Sequence, residues 1–391
     1  MKKILFVDDD PNLLRGIRRG LHALRPDWEM FFAANGREAL ELLAETSVDV
    51  VVSDFQMPGM NGLELLSQVE FDHPDIIRVM LTGKPDRVTY AQTVNIGHYF
   101  FWKPLTLEAF KRFLGRLASL DTILADQFLR QRLNALTSLP IHPASYARLT
   151  SYLDDLNSSP RQLAYIAGKD IALAMQLFKL TSSASFALET GIETLEEAVA
   201  YLDVDTIRSL LTAHHVLTSG NREVCQEFKL DQLQQHSFRV ARLAEALILE
   251  TEDDPKLVSD VVLGGLLHNV GLLVLAHCMP EQYRQAMAIS VQEKVSVKQA
   301  EQRIFNTNHA AVGGYLAALW GVPDAVVESI CQHNQTRPPT GLDVSPITQA
   351  VWHANRICQG DISFSQEQYR LLHKNKKLAG FLESVCPPVS G

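Results

Sequence analysis

A run of β-branched residues that ends in a carboxylate and a turn constrains the fold of this chain more than any other stretch. Three valines at 50–52 precede Ser53 and Asp54, and a cluster of Pro, Gly and Asn follows at 58–62. Such a run is typical of a strand buried on both faces of a parallel sheet, and the cluster after it predicts a turn. Ligands bind at the carboxyl ends of strands in open α/β sheets, so Asp54 is expected at a ligand-binding edge.

The first third of the chain alternates segments with the composition of strands and segments with the periodicity of helices. Strands are expected at residues 4–7, 28–33, 49–54, 76–81 and 98–101. Between them, apolar residues recur at the three- and four-residue spacing of helices about ten residues long. This alternation predicts right-handed crossovers and a doubly wound α/β fold with a five-stranded parallel sheet.

Four of the expected strands end in reactive or charged side chains. These are Asp8 and Asp9 after the first strand, Asp54 at the end of the third, Thr82 after the fourth and Lys103 after the fifth. Carboxylate oxygens suit a hard cation such as Mg²⁺. A cation and an ammonium group together offset the repulsion between a carboxylate nucleophile and a phosphoryl donor. The pattern therefore indicates phosphoryl-transfer chemistry at this edge.

The set of strand ends resembles the receiver domain of two-component response regulators, over roughly residues 1–118. The resemblance implies that Asp54 is the phospho-acceptor. The metal ligands that it implies for Mg²⁺ are Asp8, Asp9, Asp54 and the backbone carbonyl of Gln56. It also implies a sensor histidine kinase or a phosphotransfer protein as the partner.

The same resemblance assigns three residues to the response that follows phosphorylation. Thr82 and Lys103 are expected to contact the phosphoryl oxygens. Phe100 resembles the aromatic switch residue of receivers but lacks the hydroxyl of a tyrosine, so that only packing favours its inward state.

Beyond the receiver the apolar spacing stays helical. No Gly or Pro interrupts the chain between Gly115 and Pro140, so residues 119–135 are expected to form one long connecting helix. Such a helix would transmit a motion or pair with a second copy, which allows for a homodimer. From Leu139 onward apolar residues recur at three and four, which predicts an all-α bundle.

Several segments of this remainder resemble an HDOD domain, over roughly residues 136–337. The segment 265–271, which contains His268 and Asn269, is the most specific, and 319–323 also matches. Residues 338–391 are expected to be a helical tail that packs on the HDOD domain or extends it.

HDOD domains are relatives of the HD phosphohydrolases, so the resemblance raises the question of a metal site. The imidazoles that fall at the superfamily's metal positions are His236, His268, His309 and His333. The HD pattern requires an aspartate after the second histidine and another near the end of the bundle. Asn269 and Asn355 stand there instead, and an amide neither offsets the charge of a dication nor bridges two metals.

We therefore expect an output domain that acts through contacts with an unknown protein, with at most a relic pocket for a metal or a nucleotide. On this interpretation the only enzymatic chemistry is acceptance and loss of the phosphoryl group. The alternative is a metal-dependent HD-type phosphodiesterase that acts on a cyclic dinucleotide or another nucleotide.

Composition excludes other classes of function. The formal net charge is −9 and no long block of Lys or Arg occurs, which argues against nucleic-acid binding. The five cysteines form no C-x-x-C pair, as is usual in a reducing compartment. Residues 261–280 carry no charged side chain, but their glycines and histidines favour two buried helices broken near Gly271 over a membrane span. A cytoplasmic protein without membrane contact is expected.

Overall fold

The structure is a computed structural model. It describes residues 2–24, 28–83, 96–103, 107–153, 159–187, 194–202, 222–337 and 344–360, together with residues 192, 204, 207 and 339. An N-terminal α/β part is followed by a helical part.

The N-terminal part is built on a parallel sheet. Its strands are β1 (Lys3–Val7), β2 (Glu29–Ala33), β3 (Val50–Asp54), β4 (Ile77–Thr82) and β5 (Tyr99–Trp102), in the order β2-β1-β3-β4-β5. Every neighbouring pair is parallel, and β1, β3 and β4 are almost fully buried. The order reverses between β1 and β3, which makes their carboxyl ends the switch point where a crevice forms.

Three helices are described between these strands: α1 (Pro11–Leu24), α2 (Gly36–Glu45) and α3 (Gly62–Asp72). Asn61 caps α3 in a reciprocal capping box with Glu64, which fixes where the helix begins after β3. A side chain at Gly62 would lie 2.1 Å from the carbonyl oxygen of Asp54, so only glycine allows this close approach. Residues 84–95, where the alternation of strands and helices predicts a further helix, lie outside the described residues.

The described remainder of the chain is helical. Its helices are α4 (Leu107–Ile123), α5 (Gln127–Asn134), α6 (Pro143–Leu153), α7 (Pro160–Ala167), α8 (Ile171–Ala187), α9 (Leu195–Leu202), α10 (Arg222–Glu227), α11 (Leu230–Ile248), α12 (Pro255–Leu267), α13 (Val270–Cys278), α14 (Pro280–Glu293), α15 (Val297–Phe305), α16 (His309–Leu319), α17 (Asp324–Gln332) and α18 (Pro346–Cys358). The sequence-based prediction of a parallel α/β sheet followed by a helical domain is confirmed.

The continuous connecting helix predicted for residues 119–135 is wrong. Helix α4 ends at Ile123 and α5 begins at Gln127. Asp126 starts the second helix, because its carboxylate accepts a hydrogen bond from the backbone N–H of Leu129 at 2.8 Å. The turn allows Leu124 and Leu129 to be buried on both sides of it, so tertiary packing overrides a locally uninterrupted helical pattern.

One apolar stretch, Pro255–Cys278, is long enough by composition to cross a membrane, but 78% of its most apolar window is buried inside the protein. A single stretch of this kind is weak evidence for a span. The chain breaks there into α12 and α13 at His268 and Asn269, slightly before the glycine expected to break it.

The two parts contact each other along the edge strand β5. Helix α8 packs on β5, and α16 packs on α4. The hydroxyl of Tyr99 donates to the carbonyl oxygen of Ala318 at 3.1 Å, and the hydroxyl of Tyr315 donates to Asn134 Oδ1 at 2.8 Å. The helical part therefore covers the backbone edge that β5 would otherwise leave open.

Candidate functional site

The carboxyl ends of β1 and β3 bring three carboxylates together. Asp8, Asp9 and Asp54 each offer a ligand oxygen, and these oxygens all lie within 4.8 Å of one another. Asp8 and Asp54 are only 1% and 5% exposed, whereas Asp9 is exposed. We call this group the acidic centre.

Lys103 supplies the positive charge at the acidic centre. Its Nζ lies 2.8 Å from Asp8 Oδ2 and 2.8 Å from Asp54 Oδ1. Its own backbone N–H donates to the carbonyl oxygen of Thr82 at 2.8 Å, so the end of β4 holds the end of β5 in place. One ammonium group among three carboxylates leaves the centre negatively charged.

Burial and neighbouring charges shift the titration of this pair. Burial raises the pKa of Asp54; hydrogen bonding and charge attraction from Lys103 act against the rise, and Asp8 adds to it. Burial alone would lower the pKa of Lys103, but its hydrogen bonds to Asp54 and Asp8 outweigh burial and raise the pKa. Lys103 is therefore a permanent cation at neutral pH.

The backbone around Asp54 is held on both sides. The Ser53 hydroxyl donates to the Asp54 carbonyl oxygen at 2.9 Å, and the Phe55 N–H donates to the Leu81 carbonyl oxygen at 2.8 Å. On the neighbouring strand, Asp8 Oδ1 accepts from the N–H of Asp10 at 2.8 Å. These bonds fix the carboxylates without using the oxygens that face Lys103.

The remaining predicted receiver residues lie close by in the chain. Thr82 ends β4, and its hydroxyl donates to the carbonyl oxygen of Gly83 at 2.8 Å. Gln56 is exposed, two residues after Asp54. Phe100 lies in β5, but its side chain is outside the described residues. The Thr82 hydroxyl is thus engaged by the backbone next to it.

The acidic centre fits a hard dication. All of its side-chain donors are carboxylate oxygens, and its uncompensated negative charge favours Mg²⁺ over softer metals. Asp8, Asp9 and Asp54 would hold the ion, which would supply positive charge at this edge of the sheet. Within the described ranges, no other set of three or more His, Cys, Asp or Glu side chains brings its ligand atoms this close.

The helical part assembles the four predicted imidazoles, and we call them the histidine cluster: His236 on α11, His268 after α12, His309 at the start of α16 and His333 after α17. Neighbouring ring centroids are 5.3 Å apart for His236 and His268, 5.0 Å for His268 and His333, and 5.2 Å for His309 and His333. The sequence pattern thus located a real spatial group.

The two asparagines behave differently from each other. Asn355, on α18, is almost fully buried, and its Oδ1 lies 3.0 Å from His236 Nε2. Asn269 is 7% exposed at the start of α13 and makes no side-chain capping bond there. Asn355 therefore belongs to the cluster as a hydrogen-bond partner of His236.

Sequence reasoning missed one charged member of this region, Glu301 on α15. Glu301 is fully buried, and its Oε2 lies 2.6 Å from His309 Nδ1. Glu301 shares a helix face with Phe305 one turn later, and both are buried. A carboxylate at an apolar position of an amphipathic helix was the signal that could have revealed it.

Two family models match the chain. The response regulator receiver domain matches residues 4–114, and the HDOD domain matches residues 139–336, just over half of the chain.

The curated relatives match in part. An uncharacterized protein from Treponema pallidum is 25% identical over 240 residues, which cover 60% of this chain and 45% of that protein. The transcriptional regulatory protein GlrR from Escherichia coli is 27% identical over 154 residues, which cover 39% of this chain and 34% of GlrR. The chain thus spans less than half the length of both.

Among solved structures, the MmoQ response regulator from Methylococcus capsulatus is similar at 18% identity with a TM-score of 0.49, over 63% of this chain and 98% of that structure. The receiver domain of an HD domain-containing protein from Pseudomonas fluorescens is 30% identical with a TM-score of 0.29, over 30% of this chain and 94% of that structure. With both family models matched in sequence and the acidic centre assembled at the sheet edge, the chain belongs to the HDOD family and is a response regulator in which a receiver domain precedes an HDOD domain.

Proposed function

We propose that this protein is a phosphorelay response regulator in which Asp54 accepts a phosphoryl group in a Mg²⁺-dependent reaction. The observation that carries the proposal is the position of the Asp54 carboxylate, 2.8 Å from the Lys103 ammonium and within 4.8 Å of the ligand oxygens of Asp8 and Asp9. A sensor histidine kinase or a phosphotransfer protein is the proposed donor.

The transfer forms an acyl phosphate. An Asp54 oxygen attacks the phosphorus of a phosphorylated imidazole, the P–N bond breaks, and the imidazole leaves and takes up a proton from solvent. Lys103 offsets the charge of the incoming phosphoryl oxygens, while Asp8 and Asp9 would hold the Mg²⁺, which would supply further positive charge. Water later attacks the same phosphorus and regenerates the carboxylate, so the protein returns to its starting state.

We propose that the signal reaches the HDOD domain through the receiver edge that it contacts. Phosphorylation shifts an equilibrium between receiver states by its differential contacts to Thr82 and Lys103. Thr82 ends β4, whose edge neighbour β5 carries Tyr99, and Tyr99 donates to Ala318 on α16. The path from the acidic centre to the helical part is therefore short and continuous.

The proposed domain boundaries are 1–118 for the receiver, 119–135 for the connection, 136–337 for the HDOD domain and 338–391 for the tail. Helix α18 of the tail supports this assignment, because it packs on α11, α12 and α17 and its Asn355 contacts His236. We propose that the HDOD domain acts by binding another protein in the cytoplasm, as a monomer or a homodimer.

The experiment is labelling of the full chain with a small phosphodonor and Mg²⁺. Wild type should gain one phosphate per chain, and Asp54→Asn should gain none, because the nucleophilic oxygen is replaced by an amide. Asp75→Asn is the matched control, since Asp75 lies outside the acidic centre. Equal labelling of wild type and Asp54→Asn would refute the proposal.

A metal-dependent HD-type phosphodiesterase is the second candidate, supported by the assembly of the histidine cluster. It is tested by loading the protein with Mn²⁺, Fe²⁺ or Zn²⁺ and assaying cyclic dinucleotides and mononucleotides. Turnover that disappears in His268→Ala would establish it. We propose instead that the cluster is not catalytic, because Asn269 and Asn355 supply no carboxylate to bridge two metals.

A further inference from the structure

Hydrogen bonds in the histidine cluster determine which ring nitrogens carry hydrogens. His333 Nδ1 lies 2.7 Å from the carbonyl oxygen of Ile330. A carbonyl only accepts, so Nδ1 carries the hydrogen and Nε2 of the neutral ring is left as an acceptor. Burial, assisted by the neighbouring His309, lowers the pKa of His333 to about 3, which agrees with a neutral ring.

The second ring of the pair faces that acceptor. His309 Nε2 lies 3.2 Å from His333 Nε2. Two lone pairs at this distance would repel each other, so either a hydrogen on His309 Nε2 or a cation must lie between the two rings. The amide of Asn334, 3.4 Å from the same His309 nitrogen, is too distant to replace this contact.

Glu301 indicates whether a hydrogen or a cation lies between His309 and His333. Its Oε2 accepts from the backbone N–H of His309 at 2.9 Å and lies 2.6 Å from the ring Nδ1, while its Oε1 has no hydrogen-bond partner. A fully buried carboxyl group is either paired with a positive charge or protonated. Oε2 faces two nitrogens here, and hydrogen bonds donated to a carboxylate favour its ionised form. His309 is the ring in contact with it, and an imidazolium at this position donates to Glu301 through Nδ1 and to His333 through Nε2.

The other rings do not complete a metal site. His236 Nε2 is bonded to Asn355 Oδ1, and His268 Nδ1 lies 2.7 Å from the carbonyl oxygen of Gly265. His268 Nε2 is buried without a partner. No three ligand atoms of the cluster lie within 4.8 Å of one another, although all four histidines are among the described residues. A dication on His309 and His333 would thus lack a third histidine, cysteine or carboxylate ligand, and the donor set does not fit the metal that the HD resemblance implies.

We propose that Glu301, His309 and His333 form a buried, proton-bridged ionic chain in place of a metal centre, with Glu301 as the residue that positions and charges His309. Its role is to anchor α16. That helix begins at His309, and its other end carries Tyr315 and Ala318, which contact the receiver side through Asn134 and Tyr99. The proposal does not depend on phosphorylation of Asp54.

The first test uses wild-type protein, so it does not depend on a variant that folds. In ¹⁵N spectra of the full chain, His309 should show both ring nitrogens protonated and His333 the tautomer with hydrogen on Nδ1. A His309→Gln variant assigns the signals among the thirteen histidines. A neutral His309 in wild type would overturn the proposal.

The second test is titration of the full chain with Zn²⁺ and with Mn²⁺. We expect His333→Gln to bind no less of either metal than wild type. One equivalent of either metal bound in wild type and lost in that variant would overturn the proposal.

The third test compares Glu301→Gln with Glu281→Gln, a matched change at an exposed glutamate at the start of α14. Glu301→Gln should lower the Tm by roughly 5 °C or more and move the ¹⁵N signals of His309 to those of a neutral ring. The double variant Glu301→Gln/His309→Gln should lose less than the sum of the single changes, because a neutral pair replaces an uncompensated charge. Additive losses, or unchanged His309 signals in Glu301→Gln, would refute the ionic chain.

Discussion

The acidic centre of the receiver and the histidine cluster of the HDOD domain are both groups of titratable side chains gathered from several elements, yet they differ in what balances their charge. In the acidic centre one partly exposed ammonium, Lys103, serves three carboxylates at an open strand edge. In the histidine cluster a single buried carboxylate, Glu301, lies 2.6 Å from the His309 ring, which we propose carries the neutralising charge. The acidic centre keeps an excess of negative charge that suits a further cation. The histidine cluster has no such excess on this proposal.

The difference teaches that residue type alone does not make an ion site. Four imidazoles are good ligands in principle, but one nitrogen of each ring here contacts Gly265, Ile330, Glu301 or Asn355. The ligand oxygens of the acidic centre lie within 4.8 Å of one another, and Asp9 is exposed. The net charge of a group, and whether a cation can reach its ligand atoms from solvent, therefore determine whether the group suits a cation.

The difference between the two groups is tested most directly by removing one side chain from each. Asp9→Ala should slow Mg²⁺-dependent labelling of Asp54 by about 10-fold or more, because a hard-cation site with few carboxylates loses one of them. His268→Ala, measured in the same phosphodonor assay, should label like wild type. Normal labelling of Asp9→Ala, or slow labelling of His268→Ala, would contradict the distinction between the two groups.

Coupling between the two regions gives a smaller effect. Thr82→Ala should still accept phosphate but should show a phosphorylation-dependent change in hydrogen exchange of α16 about threefold smaller than wild type, since the hydroxyl no longer binds the new acceptor oxygens. Thr122→Ala is the control, because that exposed hydroxyl donates only to the nearby carbonyl oxygen of Ser119. A wild-type exchange response in Thr82→Ala would assign the switch to another donor.

A buried lysine, Lys179, lies on α8, the helix that packs on β5 of the receiver. Its ammonium donates to the carbonyl oxygen of Thr137 and lies 5.2 Å from the ring centroid of Trp320. Burial, with a contribution from Arg78, lowers its pKa to about 7 from an ordinary value of 10.5. Between these values the unfolded chain binds the proton and the folded chain does not, so the stability contributed by this site rises with pH from about 7 to about 10.

Lys179→Met should therefore stabilise the protein by about 1–3 kcal/mol at pH 7, and the gain should shrink as the pH approaches 10. Denaturant unfolding at several pH values measures both effects. Lys169→Met, at a half-buried lysine beside the exposed Tyr165, should leave stability within about 0.5 kcal/mol. A loss of stability in Lys179→Met at pH 7 would show that the bond to Thr137 outweighs the cost of burial.

The sequence by itself determined the receiver sheet and the meeting of Asp8, Asp54 and Lys103. Buried strands have a strong compositional signal, and parallel strands place their carboxyl ends at one edge whatever the details of packing. It also located the four histidines, because their positions follow a family pattern that the helical bundle preserves. The roles assigned to Thr82, Gln56 and Phe100 remain predictions.

Only the tertiary structure decided the break before Asp126, the burial of Glu301 and the contact of β5 with α8 and α16. Each depends on residues far apart in the chain, such as Tyr99 and Ala318, whose distance no local periodicity encodes. The contact of Glu301 on α15 with His309 joins two helices, whereas His333 Nδ1 faces a carbonyl oxygen one turn earlier in its own helix. Local patterns specify which elements form, whereas packing between them specifies which charges are paired, and that pairing distinguishes an open cation site from a closed one.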